Sequence, residues 1–146
     1  LYSVELSTGS APQAITPDDF PLAPRGHIAS ADGRQVIVTP AEGTAVAFHI
    51  NGNGPAPLKG IELGDLPLGF DQDERHFFVL GSGTIPAPII RIDRETGERM
   101  LWNELSPRDR SGVFKVDRVL ISADGAAYAY SVRRILSSLK LMNGLQ

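Results

Sequence analysis

Apolar and polar positions along this chain fall into short runs that mostly alternate with a period of two and stop at glycine, proline or aspartate. Such runs predict β-strands separated by tight turns, because alternate strand residues face opposite sides of a sheet. The clearest case lies between Val119 and Tyr130, where an apolar run ends at Ser122-Ala123-Asp124-Gly125 and a second run, Ala127 to Tyr130, follows at once. Asp-Gly between two β-prone runs signals a hairpin, since glycine takes positive φ without steric cost and aspartate bonds its own backbone. After Ser131, Arg133 and Arg134, the segment Ser138 to Gly144 predicts a third short strand. A helix competes for the same residues, because Val132, Ile135, Leu136, Leu139 and Met142 fall at helical spacing. The phase of the preceding units decides for strand.

Those preceding units repeat. Ile28 to Val38 overlays Leu120 to Tyr130 and shares Ser-Ala-Asp-Gly, while Leu68 to Val79 keeps the aspartate but carries Glu74 where the other two have glycine. Asp32, Asp73 and Asp124 stand 41 and 51 residues apart. A second series, starting at Tyr2, Phe48, Ile90 and Leu139, alternates apolar with polar residues, runs into Gly9, Gly52, Gly97 and Gly144, and is spaced by 46, 42 and 49 residues. Both spacings match the roughly 40–50-residue period of β-propeller blades. The expected fold is all-β, with blades of four antiparallel strands forming part of a larger closed propeller. Residues 1–20 supply the third and fourth strands of one blade, 21–64 and 65–105 one blade each, and 106–146 a last blade without its outer strand. The turn Arg94 to Arg99 joins the third and fourth strands of the 65–105 unit. Thirteen strands do not close a ring of 4–8 four-stranded blades, so the rest of a propeller, or another copy of the chain, is expected to complete it.

Composition narrows the chemistry. The 146 residues carry 17 acidic and 14 Lys or Arg side chains, a net charge of −3, which offers no broad basic field for nucleic acid. Cysteine is absent, so thiol and disulfide chemistry are excluded and the redox compartment is left open. No run reaches the roughly 18 apolar residues of a membrane span, and residues 1–20 have neither the cationic start nor the apolar core of a signal peptide.

No catalytic constellation stands out, and no cofactor is expected. Gly81-Ser82-Gly83-Thr84 lacks the Lys-Ser/Thr and the helix of a phosphate loop, and reads as a connection between the second and third strands of its blade. His27, His49 and His76 share no metal-ligand spacing with each other or with a carboxylate pair. The Asp71-Gln72-Asp73-Glu74 cluster lacks the glycine and distant glutamate of a calcium loop. Binding is the better expectation. In a propeller, ligands meet the loops at the central channel, here 17–27, 39–45, 81–88, 105–117 and 131–137. These carry Arg108, Asp109, Arg110, Arg133 and Arg134, whose planar guanidinium forks suit an acidic protein, a peptide or a small anion. For the arginines themselves, salt bridges between blades are the favoured reading over binding. Trp102 is either a binding anchor or a packing residue, with packing favoured.

The pattern x-S-x-D-G-x-x-x-A-Y, followed by a short alternating strand ending in glycine, resembles the TolB-like, WD-type bacterial propeller repeat over residues 27–146. The last unit, with Asp124-Gly125, Tyr128-Ala129-Tyr130-Ser131, Arg133-Arg134, Leu136-Ser137 and Leu141 to Leu145, resembles the C-terminal propeller region of acidobacterial-type serine/threonine protein kinases, as does Gly97 to Leu105 with Leu101-Trp102. The resemblance implies a kinase domain and a membrane-spanning linker elsewhere in the parent protein, with an extracytoplasmic, non-catalytic sensor or protein-interaction propeller. This chain has no Gly-rich loop with its lysine, no catalytic loop and no D-F-G. Two other roles are an accessory propeller of a hydrolase or peptidase and a stand-alone module that oligomerises to close a ring.

Overall fold

In a computed structural model the described residues are 1–82 and 85–138, and they contain strands but no helix. Twelve strands form four antiparallel sheets in chain order. The first pairs β1 (Tyr2–Ser3) with β2 (Gln13–Ala14). The second is a meander of β3 (Ile28–Ala29), β4 (Gln35–Val38), β5 (Val46–His49) and β6 (Ala56–Pro57). The third is a longer meander of β7 (Leu66–Phe70), β8 (His76–Leu80), β9 (Ala87–Asp93) and β10 (Arg99–Leu105). The fourth pairs β11 (Val113–Ile121) with β12 (Tyr128–Arg134). The all-β expectation therefore holds for the described residues. The predicted strand from Ser138 to Gly144 lies outside them from Leu139 onward, as do Gly83 and Thr84 of the glycine-rich run.

Three hairpins share one turn. The amides of Gly33, Glu74 and Gly125 donate to the carbonyls of Ser30, Asp71 and Ser122 at 3.0, 2.9 and 2.9 Å, and each loop closes with a second backbone bond to residue 35, 76 or 127. Only the fourth residue of each turn has positive φ, at 66° for Gly33, 53° for Glu74 and 66° for Gly125. This is a type I turn followed by one left-handed residue, not the mirror-image turn in which aspartate and glycine would both be left-handed. The aspartate caps the turn instead, because its carboxylate accepts the backbone N–H two residues on, from Arg34, Arg75 and Ala126.

Glu74 therefore occupies the glycine position of the repeat without changing its geometry. A left-handed residue with a Cβ costs roughly 1–2 kcal/mol. Its carboxylate offsets that cost by accepting the amides of Ala31 and Asp32 at 2.5 and 3.3 Å, which ties the β7–β8 turn to the β3–β4 turn of the neighbouring sheet. Arg94 adds to this junction by donating to the Glu74 carbonyl at 2.8 Å and to the Gln35 side chain, while its guanidinium lies over the Phe70 ring.

The core follows from the run Phe77-Phe78-Val79-Leu80 of β8, which is apolar at consecutive positions because both faces of its sheet are covered. Phe77 and Val79 pack with Ile92 against Ile37 and Ala45 of the second sheet. Phe78 and Leu80, pointing the other way, pack with Ile89 and Leu105 against Val116 and Val119 of the fourth. Each fully buried phenylalanine contributes roughly 1.5–3 kcal/mol of hydrophobic stabilisation. The leading strands of successive sheets are neighbours, β3 with β7 and β7 with β11. The strand of the last sheet runs on to Arg134, so the helix alternative fails for Val132 to Arg134, and Ile135 to Ser138 continue without helix.

Candidate functional site

The sheets have two ends. One holds the shared turns just described; the other gathers the β2–β3, β8–β9 and β10–β11 connections with the start of β11 and the finish of β12. Arg133 and Arg134 belong to this second end but not to a loop, because both sit in β12, where Arg133 faces Lys115 and Arg134 faces Val113. The expected 131–137 connection is thus corrected. Tyr130 and Val132 pack on the core at alternate positions and carry the strand through the polar residues.

Strand β11 is irregular here. Its register slips between Val113 and Lys115 and again between Val116 and Arg118, leaving Phe114 and Asp117 without a partner on β12. Each extra residue resets the alternation, so that Val116 and Val119, three apart, both reach the core while their charged neighbours stand at the rim. Asp117 becomes the meeting point of three cations. Arg25 donates through Nη1 to the Asp117 carbonyl at 2.6 Å and to its carboxylate at 3.0 Å. Arg133 donates through Nη2 to the two carboxylate oxygens at 3.3 and 3.4 Å, and Lys115 Nζ lies 3.7 Å away. The Arg25 hydrogen bond is the main cause that holds the Asp117 carboxyl below its ordinary range. Three positive side chains against one carboxylate leave a surplus of two charges. Beside them lies a cleft of about 260 Å³ with Leu66, Leu80 and Val116 in its wall.

Other sequence-predicted residues go elsewhere. Arg134 pairs with Asp109 at 2.7 Å and also donates to its carbonyl at 2.9 Å. The Ser111 amide, then Arg134, hold the Asp109 carboxyl down to about 2. Arg110 donates to the Ser106 hydroxyl at 2.6 Å, and Arg108 is exposed on the same loop. Trp102 is half-buried between sheets, its ring 5.3 Å from that of Phe78 and 5.9 Å from that of Tyr128. Tyr128 is five residues from Arg133 along β12, roughly 16 Å at strand rise, so Trp102 is not brought together with the arginines. Arg25, Lys115 and Asp117 were not among the sequence candidates. The one local signal for Lys115 and Asp117 is the charge interrupting the apolar alternation of Val113 to Ile121, and Arg25 has none.

At the turn end two arginines each take one carboxylate. Arg91 donates to Asp71 through Nε at 2.8 Å and again through Nη2, and Arg75 pairs with Asp93 at 2.9 Å. The Thr96 amide, followed by Arg75, sets the Asp93 carboxyl well below the usual carboxylate range. The hairpin also brings His76 within 4.8 Å of Asp71 and Asp73, a grouping that sequence spacing did not suggest. Arg91 lies among them, 3.1 Å from His76 Nδ1, and supplies the positive charge there. No helix among the described residues is long and apolar enough to cross a membrane. Comparison of the chain with protein-family models, with curated proteins and with solved structures finds no match.

Proposed function

We propose that this chain is a segment of a β-propeller that binds a protein or peptide partner through acidic side chains, without catalysing a reaction. The observation that carries the binding reading is the local surplus of positive charge around Asp117, on a chain whose net charge is −3. Localised charge of one sign steers an oppositely charged partner and raises its association rate. Support for the propeller reading comes from the common turn at Ser30, Asp71 and Ser122 and from the side-by-side leading strands β3, β7 and β11. The kinase-linked, bacterial origin rests on the resemblance of the last unit, and the parent reading frame tests it: an upstream kinase domain supports it, and a hydrolase domain there replaces it.

The binding test uses a fluorescein-labelled hexaglutamate peptide with hexaglutamine as control, followed by anisotropy. Hexaglutamate is expected to bind, to weaken as salt is raised from 50 to about 300 mM as surface charges are screened, and to outcompete the control. Equal binding of the two peptides, or none, counts against the reading.

A second reading has its own observation. Phe114 and Leu120, near the two ends of β11, are 46% and 71% exposed, which leaves large apolar side chains uncovered along this strand. A further sheet, from the same parent protein or from another copy of the chain, would cover them in a closed ring. Light scattering tests self-assembly, and a monodisperse monomer at high concentration removes the second-copy form.

A further inference from the structure

We infer that the cleft beside Asp117 is a subsite for a single carboxylate group, the side chain of a glutamate or aspartate on the partner; this deepens the binding reading above and rests on it. Donors remain available. Among the described residues Arg25 makes hydrogen bonds only through Nη1 and Arg133 only through Nη2, so each guanidinium has further N–H groups with no protein acceptor. A guanidinium has five such donors in a fixed fork that fits a carboxylate. The Lys115 ammonium completes three cations from three separate elements, all 37–55% exposed at their side chains; Arg25 and Lys115 line the cleft, and Arg133 joins them through Asp117. Asp117 neutralises one of them and competes with an outside carboxylate for their donors.

The wall decides the size and character of the guest. At about 260 Å³ the cleft is smaller than the roughly 300–1,000 Å³ of small-molecule pockets. It suits one short acyclic side chain. Leu66, Leu80 and Val116 offer apolar surface for its methylene groups. Two bulges in one strand place Lys115 and Asp117 at the rim, as bulges commonly re-aim side chains beside a site.

The test follows backbone amide NMR shifts during titration with glutarate and with hexaglutamate, in the wild-type chain, in K115Q/R133Q and in D117N. Both ligands are expected to shift the amides of Val116 and Asp117. K115Q/R133Q should weaken both by at least about tenfold, since hydrogen bonds to charged groups carry that much affinity. D117N should tighten both, because it removes the internal competitor while Arg25 keeps its bond to the residue 117 carbonyl. Weaker binding in D117N, or unchanged binding in K115Q/R133Q, overturns the subsite. Hexaglutamate binding with no shift at Val116 leaves the partner reading standing and overturns the subsite alone. Glutarate binding in the cleft without hexaglutamate binding keeps the subsite and removes the peptide partner. If D117N fails to fold, the single variants K115Q and R133Q, each at an exposed side chain, decide between the same outcomes.

Discussion

The two ends of these sheets treat charge differently. At the turn end Asp71 faces Arg91 and Asp93 faces Arg75, one arginine to each carboxylate, and Glu74 spends its charge on backbone amides of the next sheet. At the loop end Arg25, Lys115 and Arg133 crowd one aspartate. Matched charges fasten sheet to sheet. Beyond the one cation that Asp117 neutralises, like charges repel, a cost in stability of the kind that functional sites carry. The contrast teaches where to look for function among the described residues.

The largest effect should come from breaking a matched pair. Arg91→Gln leaves the nearly buried Asp71 carboxylate without its cation and should lower stability by about 2 kcal/mol in urea unfolding. A comparable loss is expected for Gly125→Val. Its Cβ would meet Trp102 and Phe78 only at ordinary contact distances of 3.8–3.9 Å, so the cost of about 2 kcal/mol is that of a β-branched residue at positive φ. Unchanged midpoints in either variant would remove the structural role assigned to the turn end. Glu74→Gly should shift stability by less than about 1 kcal/mol, since relief of left-handed strain offsets the two lost hydrogen bonds to the β3–β4 turn. A larger loss would mean that the inter-sheet link outweighs the strain.

The smallest effect is the response to acid. Asp93, Asp109 and Asp117 have folded-state carboxyls lower than their unfolded values, which lie near 3.9. The sign follows: their stabilisation is complete above about pH 4 and is lost as pH falls through the folded values, that of Asp109 at about 2. Melting temperature should therefore fall between pH 4 and 2, with a shallower fall in Asp93→Asn. An equally steep fall in that variant would move the acid response to other groups.

How much of this was legible in the sequence depends on how far apart the partners stand. The turns at Asp32 and Asp124 were readable because four adjacent residues encode them, although the turn type was not, since only the φ angles separate type I with a left-handed fourth residue from its mirror image. Glu74 read as a departure from the repeat, because its compensation comes from Ala31 and Asp32, more than 40 residues away. Arg25 and Asp117 are 92 residues apart and share no local pattern. The bulges at Phe114 and Asp117 hid the site further, because they break the period of two on which facing was judged. Arg133 was singled out for its chemistry and does reach the cluster, but from a strand that packing at Tyr130 and Val132 extends past the polar residues.

One measurement tests the contrast between the two ends directly: the melting temperature of K115Q/R133Q beside that of Arg91→Gln, at low salt and neutral pH. If the loop-end cations are surplus to the fold, K115Q/R133Q melts at or above the wild-type temperature while Arg91→Gln melts below it. If K115Q/R133Q falls as far as Arg91→Gln, the cations at Asp117 are structural pairs like those at the turn end, and the loop end loses its claim to be a binding site.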